Sequence, residues 1–232
     1  MTQADHESEA AVVAELLRRF PDHRILAEEG SLNAAASSEY EWVIDPLDGT
    51  TNFLQGLPVW AVSIACRRGE ELLAAVVLDP CGANVFSATR GGGATWNGRP
   101  MSVSPRPALE GAFLATGYPF RARAALGVYL ELFRGVFEES RAIRRCGAAA
   151  LDLAYVAAGV YDGFFELRLS AWDIAAGALL ITEAGGVLTD LEGGDSFFHS
   201  GNVLAGAPGV HRGLIEVARR YVSESRIAEL VP

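Results

Sequence analysis

WVIDPLDGTTNFLQGLP, residues 42–58, is the stretch on which the reading of the chain turns. Trp42, Val43 and Ile44 form the end of an apolar strand, yet Asp45, Pro46 and Asp48 follow at once, so two carboxylates stand at the lip of the core. Pro46 fixes φ and forbids a regular strand, which lets both side chains leave the sheet edge on one short turn. Taken alone, the stretch has two readings. It is an acidic turn before a helix N-capped by Thr50, Thr51 or Asn52, or it is a site.

Two further signals favour a site. Glu28 and Glu29 end the short strand RILA, and Asp173 in SAWDIAAG opens a helix, where it reads as the N-cap. Each is explicable alone; together they put carboxylates at three element ends, where rigid scaffolds hold metal and phosphate sites. Oxygen-only ligands select hard cations, Mg²⁺ or Mn²⁺, over zinc. Mg²⁺ uses few protein carboxylates and completes its shell with water and substrate phosphate, which makes a phosphate the natural partner. Gly49, Thr50 and Thr51 supply backbone N–H groups and hydroxyls where a helix begins, a favourable place for an anion.

The bulk properties agree. With 232 residues, half of them apolar, the chain can bury a large core. A formal charge of −10 argues against a nucleic-acid groove, which needs clustered Lys and Arg. Cys66, Cys81 and Cys146 are odd in number and lack metal-knuckle spacing, so no disulfide framework is indicated and a reducing cytoplasm fits. The acidic start MTQADHESEA is wrong for a signal peptide, and runs such as LLAAVVL are too short to span a bilayer. His6, His23, His199 and His211 are scattered and read as surface residues.

Along the chain, Val13, Leu16, Leu17 and Phe20 mark an amphipathic helix over 6–19 that stops before Pro21, with Asp5 as a candidate N-cap. VWAVSIACR, ELLAAVVLD and NVFSATR read as strands joined by short turns, as in an antiparallel or mixed sheet. GGGATWNGRP, 91–100, lacks the ending of a P-loop, and Asn97-Gly98 makes it a hairpin. GAFLAT reads as a strand, and 126–139 as a helix with Leu126, Leu130, Phe133 and Phe137 on one face. The second half alternates: a helix over 148–158, strand YDGFFEL, a helix from Ile174 to Ala184, strands VLTD and NVLAG, and a last helix near Pro208. No Pro- or Ser-rich linker separates the halves. Layered α/β structure follows, with a mostly antiparallel first sheet and a smaller second one.

These residues resemble the inositol monophosphatase family of metal-dependent, lithium-inhibited sugar phosphatases. The resemblance rests on Glu28-Glu29, on Trp42, on Asp45-Pro46-Leu47-Asp48-Gly49-Thr50-Thr51-Asn52-Phe53, and on WDIAAGALLITEAGG from Trp172 to Gly186, in that order. It implies an αβαβα sandwich formed by residues 1–232 as one unit, with a metal-binding half over 1–120 and a second half over 121–232. It further implies two to three Mg²⁺ ions, with Mn²⁺ as a substitute. Glu28, Asp45 and the Leu47 carbonyl would hold the first, Asp45, Asp48 and Asp173 the second, and a weaker third would lie near Glu28. Gly49 and Thr50 would contact phosphate, and Leu47, Asp48, Thr51, Ala149, Glu166 and Asp173 would complete the substrate site. Glu166 also reads as a strand-end surface acid. Glu28 and Thr50 would orient the attacking water, with Asp5 bonded to the threonine; the N-cap reading of Asp5 has equal claim.

Two departures stand out. The sequence begins at the segment matching Thr2 to Asp5, before which the family usually carries a further helix: either the start is assigned late or the protein manages without that helix, in which case apolar surface on the first layer would be exposed, with marginal stability or a covering partner. Ala148 stands where many relatives carry Ser or Thr. The Thr51-Asn52-Phe53 ending favours inositol-1-phosphate or a related polyol or sugar phosphate. Fructose-1,6-bisphosphate, histidinol phosphate, 3′-phosphoadenosine-5′-phosphate and NADP are the alternatives. A non-catalytic role in a transcription complex, as in some bacterial relatives, is the second class of reading. The resemblance also implies a cytoplasmic homodimer.

Overall fold

In the computed structural model, which describes residues 2–32 and 38–230, helix α1 (Gln3–Arg19) opens the chain. Its N-cap is Thr2 rather than Asp5. The Thr2 side chain accepts from the Asp5 N–H while the Asp5 carboxylate accepts from the Thr2 N–H, a reciprocal box that satisfies two otherwise orphaned donors. Strands β1 (Arg24–Ala27), β2 (Ser31–Leu32) and β3 (Tyr40–Asp48) and the short helix α2 (Thr50–Leu54) follow. Next come β4 (Ala61–Arg68), β5 (Glu71–Asp79), β6 (Asn84–Thr89), β7 (Gly93–Trp96) and β8 (Arg99–Pro100). These eight strands form one sheet in the order β2-β1-β3-β4-β5-β6-β7-β8, antiparallel except where β1 meets β3. Asn97 and Gly98, with φ of 50° and 75°, join β7 to β8 as the hairpin that the sequence predicts.

Strand β9 (Phe113–Thr116), a 3₁₀ segment (Phe120–Ala125), α3 (Leu126–Glu139), β10 (Ala142–Arg144), α4 (Ala149–Ala157) and β11 (Gly163–Glu166) continue the chain. They are followed by α5 (Ala171–Glu183), β12 (Val187–Thr189), α6 (Phe197–Ser200), β13 (Val203–Gly206), α7 (Pro208–Tyr221) and α8 (Glu224–Leu230). The helix near Pro208 is therefore not the last. The second sheet, β10-β9-β11-β13-β12, mixes parallel and antiparallel pairs.

The layers run α1, first sheet, α4 with α5, second sheet, α3 with α7: the αβαβα sandwich. Helices α4 and α5 are apolar nearly all round because both sides are covered, by Val43, Val77 and Phe86 from one sheet and by Phe164 and Ala205 from the other. On the opposite face of the first sheet Val76, Leu78 and Val85 are exposed.

Two sequence expectations are corrected here. In α3 the face carrying Leu126, Leu130 and Phe137 is exposed, at 47%, 51% and 63%, and the helix buries Val128, Tyr129, Leu132 and Val136 instead. Apolar residues lie on both sides of this helix, so periodicity cannot choose between them; packing against α7 does. His211 is buried, with its ring 2.8 Å from the Thr189 hydroxyl, and burial pushes its pKa down to about 4. Among the described residues no helix is long and apolar enough to cross a membrane.

Candidate active site

The chain solves the strand-proline conflict with a bulge. Asp45 pairs with Ser63 and Asp48 with Ala61, so Pro46 and Leu47 together oppose Val62. Pro46 has no N–H to lose, and the Leu47 N–H turns back to Asp45 Oδ1 at 3.0 Å. The Ser8 hydroxyl of α1 holds the Pro46 carbonyl at 2.8 Å. Gly49, at φ 91°, then occupies the N-cap position of α2, in place of the threonines or Asn52. A Cβ there would stand 3.0 Å from the Val59 carbonyl and 3.3 Å from Ala148 Cβ, so glycine is required by both conformation and space.

The bulge delivers Asp45 and Asp48 to a cavity of about 560 Å³ between the ends of both sheets. Of the residues singled out from the sequence, Glu28, Asp45, Leu47, Asp48, Gly49, Thr50, Thr51, Ala149, Glu166 and Asp173 all line it. Asp5 sits behind them, buried, with Oδ1 3.1 Å from the Thr50 hydroxyl, which lies equally close to the Leu47 carbonyl. Asp173 stands at the third position of α5, not at its N-cap. Ser170 is the cap, and Asp173 Oδ2 accepts from the Ser170 N–H at 2.7 Å. Ala148, at the N-cap of α4, has no side-chain oxygen to offer. Asp48 supplies two from across the fold, Oδ1 accepting from the Ala149 N–H (3.2 Å) and Oδ2 from the Ala150 N–H (2.7 Å). The Ala149 donor is thereby committed to Asp48.

Asp45, Asp48 and Asp173 each bring one oxygen within 4.8 Å of the others, and all three are buried. Burial, reinforced by the charges of Asp48, Glu28 and Asp173, holds the Asp45 carboxyl well above the usual range. Burial and the Asp173 charge push Asp48 up to about 7, against the lowering effect of the Ala150, Ala149 and Leu151 N–H groups. Glu28 is raised as well, by burial that outweighs the nearby Arg121. Glu28 lies outside the close trio and is joined to it through Arg121, whose guanidinium pairs with Asp173 and, at 3.2 Å, with Glu28.

Sequence reasoning missed Arg121, Arg145 and Asp152, which also line the cavity. Asp152 had a signal, a lone acid inside the apolar helix LDLAYVAAG. The two arginines had none.

Comparison with known proteins agrees with this geometry. The model of the inositol monophosphatase family matches residues 1–223. The chain belongs to the inositol monophosphatase family. It is 47% identical over 229 residues to the Nus factor SuhB of Pseudomonas aeruginosa, covering 97% of this chain and 84% of that protein. It is 45% identical over 222 residues to the inositol-1-monophosphatase of Rhizobium meliloti, covering 96% and 84%. The solved inositol monophosphatase from Anabaena superposes with a TM-score of 0.89 at 37% identity, over 96% of this chain and 88% of that one. The extragenic suppressor protein suhB of Bartonella henselae gives 0.91 at 42%, over 96% and 85%.

The acidic trio of this family member fits a divalent cation. Three buried carboxylates this close repel one another unless positive charge stands among them, and Arg121 supplies part of it. The donors are oxygens, as a hard cation requires.

Proposed function

We propose that the chain is a Mg²⁺-dependent phosphomonoesterase acting on inositol-1-phosphate or a related polyol or sugar phosphate. The observation that carries this reading is the convergence of Asp45, Asp48 and Asp173 within 4.8 Å, beside Thr50 at the first turn of α2. Glu28, Asp45 and the Leu47 carbonyl would hold one ion, and Asp45, Asp48 and Asp173 a second, with a weaker third near Glu28. When bound, the ions offset the charge of the phosphate dianion and lower the pKa of a water. The chain's own groups do the rest. Thr50 would donate its hydrogen bond to Asp5 and offer its lone pairs to the attacking water, which Glu28 would orient and relieve of a proton; as that oxygen bonds to phosphorus the ester P–O bond breaks, and the leaving alkoxide oxygen takes up a proton from solvent. The first-turn N–H groups of α2 lack intrahelical acceptors and would donate to phosphate oxygens.

Glu166 would accept hydroxyls of the substrate, and it gives a sharp test. A Cβ on Gly117 would lie 2.1 Å from Glu166 Oε1, so Gly117→Ala displaces that carboxylate. Because the end of a flexible side chain yields, the melting temperature should stay within about 2 °C of wild type. KM for inositol-1-phosphate should rise roughly tenfold with kcat less affected; steady-state kinetics and a thermal melt check both.

The reading as a whole is tested by assaying inositol-1-phosphate, fructose-1,6-bisphosphate, 3′-phosphoadenosine-5′-phosphate, NADP and histidinol phosphate, each with and without Mg²⁺ and Li⁺. Metal-dependent turnover that Li⁺ inhibits is expected on at least one. Its absence on all would sink the enzyme reading. A second reading, binding within a transcription complex, is favoured by the name Nus factor given to the Pseudomonas relative and by the exposed Leu126, Leu130 and Phe137 face of α3. That role would survive Asp45→Asn.

A further inference from the structure

Arg145 is a cation without an assigned task. Among the described residues it forms no ion pair, although its charge opposes in small part the burial that raises the Asp152 and Glu166 carboxyls across the cavity. Its guanidinium carbon lies 5.2 Å from the ring centre of Tyr118 and 5.3 Å from that of Phe120. Two aromatic faces steady a planar guanidinium through its π surface and leave its in-plane N–H donors available to an acceptor.

Its backbone is equally well placed. Arg145 precedes Cys146 and Gly147, whose carbonyls accept from Asn52 Nδ2 at 2.9 and 3.4 Å, and Asn52 belongs to α2, the helix that carries Thr50 at its start. Arg145 is thus tied to the turn proposed to face the scissile phosphate, while its exposed side chain stands at the cavity opening beside Tyr118 and Phe120.

A polyol monophosphate has no use for such a group. On the proposed reading its one phosphate would be met by the acidic floor with its cations and by the first turn of α2, and its hydroxyls by Glu166. A guanidinium fixed at the opening serves an anion other than the scissile one, and its paired in-plane donors match two phosphate oxygens. We propose that Arg145 is a specificity-determining residue that binds a second phosphate, so that the preferred substrates are polyol or sugar bisphosphates. This rests on the phosphatase reading.

The experiment compares kcat and KM of wild type, Arg145→Gln and Arg145→Lys on inositol-1-phosphate and fructose-1,6-bisphosphate at saturating Mg²⁺, with a thermal melt of each variant. In Arg145→Gln the ratio of kcat/KM for the bisphosphate over that for the monophosphate should fall roughly tenfold to a hundredfold, the size of a lost charge-assisted contact. The fall should lie in KM, and Arg145→Lys should recover part of it. An unchanged ratio, or equal losses in kcat on both substrates, overturns the proposal. A wild type that hydrolyses inositol-1-phosphate but not the bisphosphate also overturns it and leaves the phosphatase reading standing. Turnover of neither overturns it too, and the phosphatase reading falls with it only when no other compound of the panel is hydrolysed.

Discussion

Asp45→Asn is expected to lower kcat/KM on the phosphate substrate by about a thousandfold or more, while the metal-free variant melts at a higher temperature than metal-free wild type. The two effects have one cause. Asp45 is 1% exposed and faces Asp48, Glu28 and Asp173, so without a cation its charge costs stability. An amide fills the same volume, retains the oxygen that accepts the Leu47 N–H at 3.0 Å, and carries no charge to repel its neighbours. The same neutrality removes the ligand proposed to be shared between two ions. A merely structural Asp45 predicts the reverse pattern, a lower melting temperature with turnover lost only in proportion to unfolding. Circular dichroism melts in chelator, alongside kinetics in Mg²⁺, separate the two. A variant that turns over at the wild-type rate would show the ligand assignment to be wrong.

How much of this was legible beforehand depended on whether a feature is local. The order of the acids, the hairpin at Asn97-Gly98 and the alternation of strands with helices are written in neighbouring residues, and all appear where the sequence places them. The caps were misread by one turn for a local reason as well. Thr2-x-x-Asp5 and Ser170-x-x-Asp173 both carry the spacing of a capping box, in which the acid stands three residues inside the helix and the hydroxyl is the cap. What was not legible is set by distant contacts. Ala148 is an adequate N-cap only because Asp48 supplies oxygens from a hundred residues away, and Arg121 reaches Glu28 and Asp173 only because the fold brings the 3₁₀ segment after β9 beside them. In α3, apolar residues on both sides hid which face the second sheet would cover.

Cation binding and pH should be coupled, and the sign follows from the carboxyls. Asp48 moves from an ordinary value of 3.8 to about 7 in the folded, metal-free protein, and Asp45 and Glu28 shift in the same direction. Between those limits the folded state holds more protons than the unfolded chain, so stability is greatest below the unfolded pKa and falls as pH rises toward about 7. A divalent cation reverses the preference, because it binds the deprotonated acids and releases their protons. Mg²⁺ at about a hundred times its Kd contributes about 2.7 kcal/mol, roughly 5–10 °C in melting temperature for a chain of this size. That gap should be largest near pH 7.5 and shrink toward pH 5, with proton release visible as a buffer-dependent heat in calorimetry. Arg121 sharpens the test, since it is the positive charge the metal-free site already has: in Arg121→Ala the metal-free protein should lose stability more steeply with rising pH, while the cation-bound protein should not. A gap of equal size at both pH values would mean that the acids are not ligands; an Arg121→Ala variant with an unchanged slope would mean that the guanidinium does not neutralise them.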